Sequence, residues 1–157
     1  MPAVLIKETL FVRAFGLTKI PMIWWLRPRV LAHDEVRTAI MLPLSRRSKN
    51  HLGSMYFGAL SAGADLAGGL AAMREIGKSG KKISLSFKTF HANFTKRAEG
   101  DVLFECDQGE QIREFVKMVA ASSERHEMMV NIRATCPKIG PEVVGEFQLE
   151  LSLKAKG

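Results

Sequence analysis

"NHLGSMYFGALSAGADLAGGLAAM" spans Asn50–Met73 and contains one charged residue, Asp65, among Gly, Ala, Ser and Leu. Met55–Ile76 reads as one long helix, and "GKSGKK" ends it with the Gly and Lys that a helix C-terminus favours. On a helix the neighbours of position 65 lie three and four residues away: Ser61, Ala62, Gly68 and Gly69, with Gly58 and Ala72 a turn beyond. Every residue on that face except Asp65 is small, and the adjoining stripe is Leu66, Leu70 and Met73. Glycine in a helix costs roughly 1 kcal/mol relative to Ala, so a glycine-rich face implies that a sheet, a helix or a ligand approaches the backbone closely. A carboxylate on such a face loses solvent, which raises its pKa and its basicity. Two readings of Asp65 stay open at this point. It is a general base or nucleophile, or a packing device satisfied by backbone N–H groups or a basic neighbour.

The flanking sequence supplies the remaining elements. Upstream, Ile6, Leu10, Phe11 and Ala14 recur at helical spacing, and Gly16 is expected to stop that helix. "IPMIWWLRP" reads as a short helix ended by Pro28, closing one end of a core or lining a greasy pocket. Val36, Thr38, Ile40 and Leu42 alternate as a strand, and "SRRSKN" reads as a loop. Downstream, Lys82–Lys96 reads as a long strand. Ile83, Leu85 and Phe87 share one face and Phe90, Ala92 and Phe94 the other, so the phase slips near Lys88, as at a β-bulge. Val102, Phe104 and Cys106 follow as a strand, and Ile112, Phe115, Val116 and Val119 as a helix. His126–Ala134 and Phe147–Leu153 alternate as two further strands around the loop "CPKIGPE". Short loops between adjacent strands predict an antiparallel sheet, and a long apolar helix against it gives a two-layer α+β fold.

The chain has 157 residues, 46% of them hydrophobic and 25% charged, which fits one globular domain. Its net charge of +7 favours anionic partners: nucleic acid, a membrane surface or a phosphorylated small molecule. Alternatively, the excess charge serves solubility. Basic residues are not interleaved with aromatics as in nucleic-acid binders, so no nucleic-acid partner is expected. Cys106 and Cys136 lie far apart and read as free buried thiols of a reducing, cytoplasmic compartment. Lys7, Glu8 and Arg13 interrupt any apolar leader core, so the N-terminus does not read as a signal peptide. Asp65 and the Ala/Gly composition argue against a membrane span in Leu52–Met73. "GKSGKK" follows a helix, and Ala72 stands where a P-loop requires Gly. "ALSAG" lacks the first Gly of a nucleophile elbow. His33, His51, His91, His126 and the two cysteines form no metal-ligand spacing.

Asn50, Gly53, Gly58 and Asp65 sit at offsets that resemble the active-site motif of hotdog-fold acyl-CoA thioesterases of the PaaI-like group, and "RAEGD" at Arg97–Asp101 resembles a turn of that family. The resemblance implies a hotdog fold in which a long helix is wrapped by an antiparallel sheet. Residues 1–27 form a helical extension and 28–157 the hotdog core of one domain. It also implies a homodimer, with a tetramer left open, that hydrolyses an acyl-CoA thioester without a metal or cofactor. Asp65 would be the base or nucleophile, and Asn50 would orient the water or the thioester. The backbone N–H groups of Phe57 and Gly58 would form the oxyanion hole. Ser84 or Ser86 of the partner would help position the water. Arg46, Arg47, Lys49, Lys78, Lys81, Lys82 and Arg97 flank this site and suit the phosphates of coenzyme A. Two positions depart from the motif: Tyr56 replaces its His and Phe57 its first triplet Gly. The backbone donor survives, but the ring narrows the acyl tunnel. The alternative is therefore a hotdog protein that binds acyl-CoA or acyl-lipid without turnover.

Overall fold

The computed structural model describes residues 2–157. In chain order the elements are α1 (Ile6–Lys19), α2 (Pro21–Leu26), β1 (Arg29–His33), β2 (Thr38–Leu42), α3 (Phe57–Ser79), β3 (Ile83–Phe94), β4 (Val102–Cys106), α4 (Gly109–Ala120), β5 (Arg125–Thr135) and β6 (Val143–Ala155). The strands form one antiparallel sheet in the order β1-β2-β4-β5-β6-β3. α3 packs on one face of it, which is the α+β hotdog architecture. No helix among the described residues is long and apolar enough to cross a membrane.

α3 starts two residues after the expected Met55 and runs three past Ile76, until Gly80 adopts the left-handed conformation (φ 68°) and stops it. Its small residues seat it on the sheet. A Cβ at Gly63 would overlap the ring of Phe104, a wholly buried residue of β4, so only glycine permits this approach. Gly68 lies against Phe87, Val130 and Ile132, each 3.6 Å from where its Cβ would stand. Phe104, Phe147, Leu149, Leu151 and Leu153 complete the buried layer, with Ile112, Phe115, Val116 and Val119 of α4 at the expected helical positions.

The phase slip in β3 is real. Its register against β6 shifts between Phe87 and Phe90. The extra residue returns Phe90 and Phe94 to the inner side, where both rings meet Phe147 at 5.9 Å. β4 pairs with β5 only over Leu103–Glu105, after which the Gln108 side chain takes its place. Its Oε1 accepts from the Asn131 N–H at 2.6 Å and its Nε2 donates to the Met129 carbonyl at 3.4 Å.

Two local expectations are corrected, at Gly16 and at Val36. Gly16 does not stop α1, which continues to Lys19; a Cβ there would lie 2.6 Å from the Trp24 nitrogen, so this glycine admits α2 instead. The buried side of α1 is Thr9, Val12 and Gly16, while Ile6, Leu10 and Phe11 face outward. Thr9 anchors the helix, its hydroxyl accepting from the Val30 N–H at 2.9 Å. Val36 precedes β2 in an exposed bend in which the Asp34 carboxylate accepts from the Val36 and Arg37 N–H groups.

The packing predicts opposite signs for one substitution at two glycines of α3. Gly77 has nothing within 4 Å of its missing Cβ, so Gly77→Ala should gain up to about 1 kcal/mol from helix propensity. At Gly63 overpacking of about 1–3 kcal/mol outweighs the same gain. Thermal melts should therefore rise for Gly77→Ala and fall for Gly63→Ala; a rise for both would contradict the close seating of α3.

Candidate active site

Asp65 lies midway along α3, on the wall of a cavity of about 480 Å³. α1 contributes Phe11, Val12 and Phe15, α2 contributes Ile23, and β3 contributes Ile83, Leu85 and Phe87. Gly69, Leu70 and Met73 continue the wall along α3, and Asp65 is the only ionisable group in it. Among the described residues no hydrogen bond or ion pair reaches the carboxylate, and burial alone pushes its pKa up from the usual carboxylate value. The packing-device reading requires satisfied oxygens, and the structure supplies no partner for them. A carboxylate kept basic beside an apolar cavity is suited to taking a proton from water next to an acyl group.

Asn50 sits in the loop before α3, in a different cavity of about 520 Å³ shared with His51, Tyr56, Phe57, Phe94 and Arg97. Its side chain builds the loop. Oδ1 accepts from the N–H groups of Leu52 (2.9 Å) and Ser54 (3.2 Å), and Nδ2 donates to Ser54 Oγ at 3.1 Å. At the N-terminus of α3 no side chain caps the helix, and Leu60 N–H is bonded back to the Tyr56 carbonyl. The preceding amides of Phe57 and Gly58 have no helical acceptor and carry the positive end of the helix dipole. Tyr56 folds its ring against Gly58, where any Cβ would collide with it. The exposed Phe57 ring lies tilted at 4.8 Å from Tyr56 and edge-on at 6.3 Å from Phe94.

The two cavities share no lining residue within one chain. Asp65 is eight residues beyond Phe57, a rise of about 12 Å along the helix. The other expected residues are placed as follows. Ser84 and Ser86 alternate with Ile83, Leu85 and Phe87, and so point to the sheet face opposite the Asp65 cavity; Ser84 Oγ donates to the Lys154 carbonyl at 3.2 Å. Within one chain both serines therefore lie away from Asp65, and the inner face there is apolar; the serines expected to position the water are those of a partner subunit. Arg97 lines the Asn50 cavity. Arg46 and Lys82 are exposed. Arg47 lies 4.6 Å over the Trp25 ring, and Lys78 is paired with Glu35 at 3.2 Å. No cluster of metal-ligating side chains occurs among the described residues.

Sequence reasoning missed the contribution of α1 to the Asp65 cavity. The expectation that "IPMIWWLRP", the neighbouring segment, lines a greasy pocket holds for Ile20 and Ile23. A further cavity of about 840 Å³ is an open trough on the outer sheet face beside His91, Asn131 and Gln148. It contains neither Asp65 nor the α3 N-terminus.

Residues 8–150 match the family described as a domain of unknown function, DUF4442. The chain belongs to the DUF4442 family. Among curated proteins none matches it in sequence. This DUF4442 chain is similar in structure to the Pseudomonas aeruginosa protein PA5026, named a probable thioesterase, with TM-score 0.76, 24% identity and 99% of each chain covered. It is also similar to thioesterase HI1161 of Haemophilus influenzae, with TM-score 0.67 and 12% identity over 90% of this chain and 88% of that one. A mutant of thioesterase PA1618 of Pseudomonas aeruginosa gives TM-score 0.69 and 14% identity over 94% of each chain. At these identities the likeness establishes the fold of the DUF4442 chain.

The raised pKa of Asp65 has a stability consequence. A carboxyl that holds its proton more tightly folded than unfolded stabilises the fold fully below the unfolded pKa, and that contribution is lost as pH rises through the folded pKa. At about pH 7 the raised pKa of Asp65 is a net cost to folding, so Asp65→Asn should raise the melting temperature there, and the advantage should vanish at about pH 3.5. A lower melting temperature for Asp65→Asn at neutral pH would show a satisfied structural carboxylate instead.

Proposed function

We propose that this protein is an acyl-CoA thioesterase of the PaaI-like kind, acting as a homodimer. The observation that carries the reading is Asp65, an unpaired carboxylate on the wall of an otherwise apolar cavity. The cavity takes the acyl group. Asp65 removes a proton from water, and the resulting hydroxide attacks the thioester carbonyl. The oxyanion is received by the N–H groups of Phe57 and Gly58 at the open N-terminus of α3. Collapse breaks the carbon–sulfur bond, releases the acid, and leaves the coenzyme A thiolate to take up the proton. Coenzyme A enters as part of the substrate, and Arg97, Arg46 and Lys82 offer charge for its phosphates.

Because Asp65 and Asn50 lie in separate cavities of one chain, the reading requires two subunits per site. β3 supports this. It is an edge strand of twelve residues with one side unpaired, a surface suited to pairing with a second copy. Such pairing would bring the partner's α3 N-terminus, with its Asn50 and open amides, toward Asp65. Cys106 and Cys136, both free and buried, fit a cytoplasmic setting.

Phe57 favours a second reading, a protein that binds acyl-CoA without hydrolysing it, because its exposed ring stands where the oxyanion amides open. A panel of short, aromatic and long acyl-CoAs, followed by thiol release, separates the two. Wild-type protein should release thiol, and Asp65→Asn or Asp65→Ala should lower kcat by about a hundredfold or more while remaining folded and dimeric. Tight binding with no thiol release would establish the second reading, and unchanged turnover in both variants would remove Asp65 from the chemistry.

A further inference from the structure

The described residues expose many large apolar side chains, and half of them lie in the first 25 residues. On α1, Ile6, Leu10 and Leu17 recur four and seven residues apart, forming one outward stripe at 70%, 61% and 58% exposure. On α2, Met22, Trp24 and Trp25 are also exposed, and these are the only two tryptophans of the chain. The opposite side of α1 is already packed on the protein through Thr9, Val12 and Gly16. A helix that is apolar on both sides is one whose second side has a partner.

The charge around this face identifies the partner's chemistry. Residues 2–29 carry five basic side chains and one acidic, and Lys7, Lys19, Arg27 and Arg29 are exposed among them. Arg47 adds its guanidinium over Trp25. Apolar side chains with exposed tryptophans, bordered by Lys and Arg, suit the boundary between acyl chains and anionic headgroups. A second copy fits poorly, because two such faces would bring like charges together, and the free edge of β3 already offers a self-pairing surface.

We propose that the outward face of α1 and α2 docks this protein peripherally on an anionic lipid surface, with the apolar side chains in the interfacial layer and the basic ones on the headgroups. No helix among the described residues can span a bilayer, so the contact is interfacial. Phe11 and Ile20 belong both to this face and to the lining of the Asp65 cavity, so docking would place the cavity close to the lipid. The proposal stands whether or not the protein hydrolyses thioesters.

The test uses the full chain with phosphatidylcholine vesicles, with and without phosphatidylglycerol. Both tryptophans lie on the proposed face, so their emission reports docking directly. Binding to the anionic vesicles should be about tenfold or more tighter than to phosphatidylcholine alone, shift the emission to the blue, and weaken with salt. Leu10→Gln with Leu17→Gln, and separately Lys7→Glu with Lys19→Glu, should each weaken binding by about tenfold or more at an unchanged melting temperature. Failure of the wild-type chain to bind anionic vesicles would overturn the proposal. So would a halved solution mass in the Leu10→Gln, Leu17→Gln variant, which would assign the face to a second copy of the chain.

Discussion

The contact between Gly63 of α3 and the Phe104 ring of β4 sets the distance between helix and sheet, and the rest of the structure follows from that distance. A glycine-poor helix would ride higher on the sheet. Here the backbone comes down onto the aromatic layer, and Phe104, Phe147, Phe90 and Phe94 pack ring against ring beneath it. At Gly68 and Gly69 the same economy of side chains leaves room for Phe87. That close seating partly buries Asp65 without bringing any donor near it. Glycine in a helix costs stability, and so does an unpaired carboxylate near apolar walls. Both costs fall on one helix face, where stability and function commonly conflict.

α1 and α2 complete what α3 and β3 begin. Without Phe11, Phe15 and Ile23 the region beside Asp65 would be an open groove between the helix and the edge strand. Gly16 makes this possible by letting α2 turn back against α1. The left-handed Arg27 followed by Pro28 then ends α2 and directs the chain into β1. The N-terminal segment is thus both a wall of the candidate site and the most apolar part of the surface. α3 positions the carboxylate, and α1 and α2 determine much of what surrounds it.

Elements with one strong period were legible in the sequence. α4 and β5 each bury one face at a regular period, α3 stands out as a long apolar run, and even the bulge of β3 showed as a slipped phase between Phe87 and Phe90. Asp65 stood out because its helix neighbours were so small. The errors share a cause, which is contact between residues distant in sequence. Gly16 looked like a helix stop because nothing local shows that Trp24 folds back onto it. The buried side of α1 was unreadable because both sides are apolar and only Thr9, bonded to Val30, marks the inner one. Strand phase sets Ser84 and Ser86 on the sheet face away from Asp65 of their own chain, whereas the serines expected at the site are those of a partner. The separation of Asn50 from Asp65 could not be read from offsets along the chain, because it depends on how far a helix carries two positions apart.

The site depends on Asp65 being a desolvated carboxylate with no partner among the described residues. A carbon-13 NMR titration of the side-chain carboxyl groups, compared with Asp65→Asn, tests it directly. One carboxyl should titrate clearly above the usual aspartate range and be missing from the variant. If the signal lost in Asp65→Asn titrates at or below that range, the carboxylate is solvated or paired and the account is contradicted.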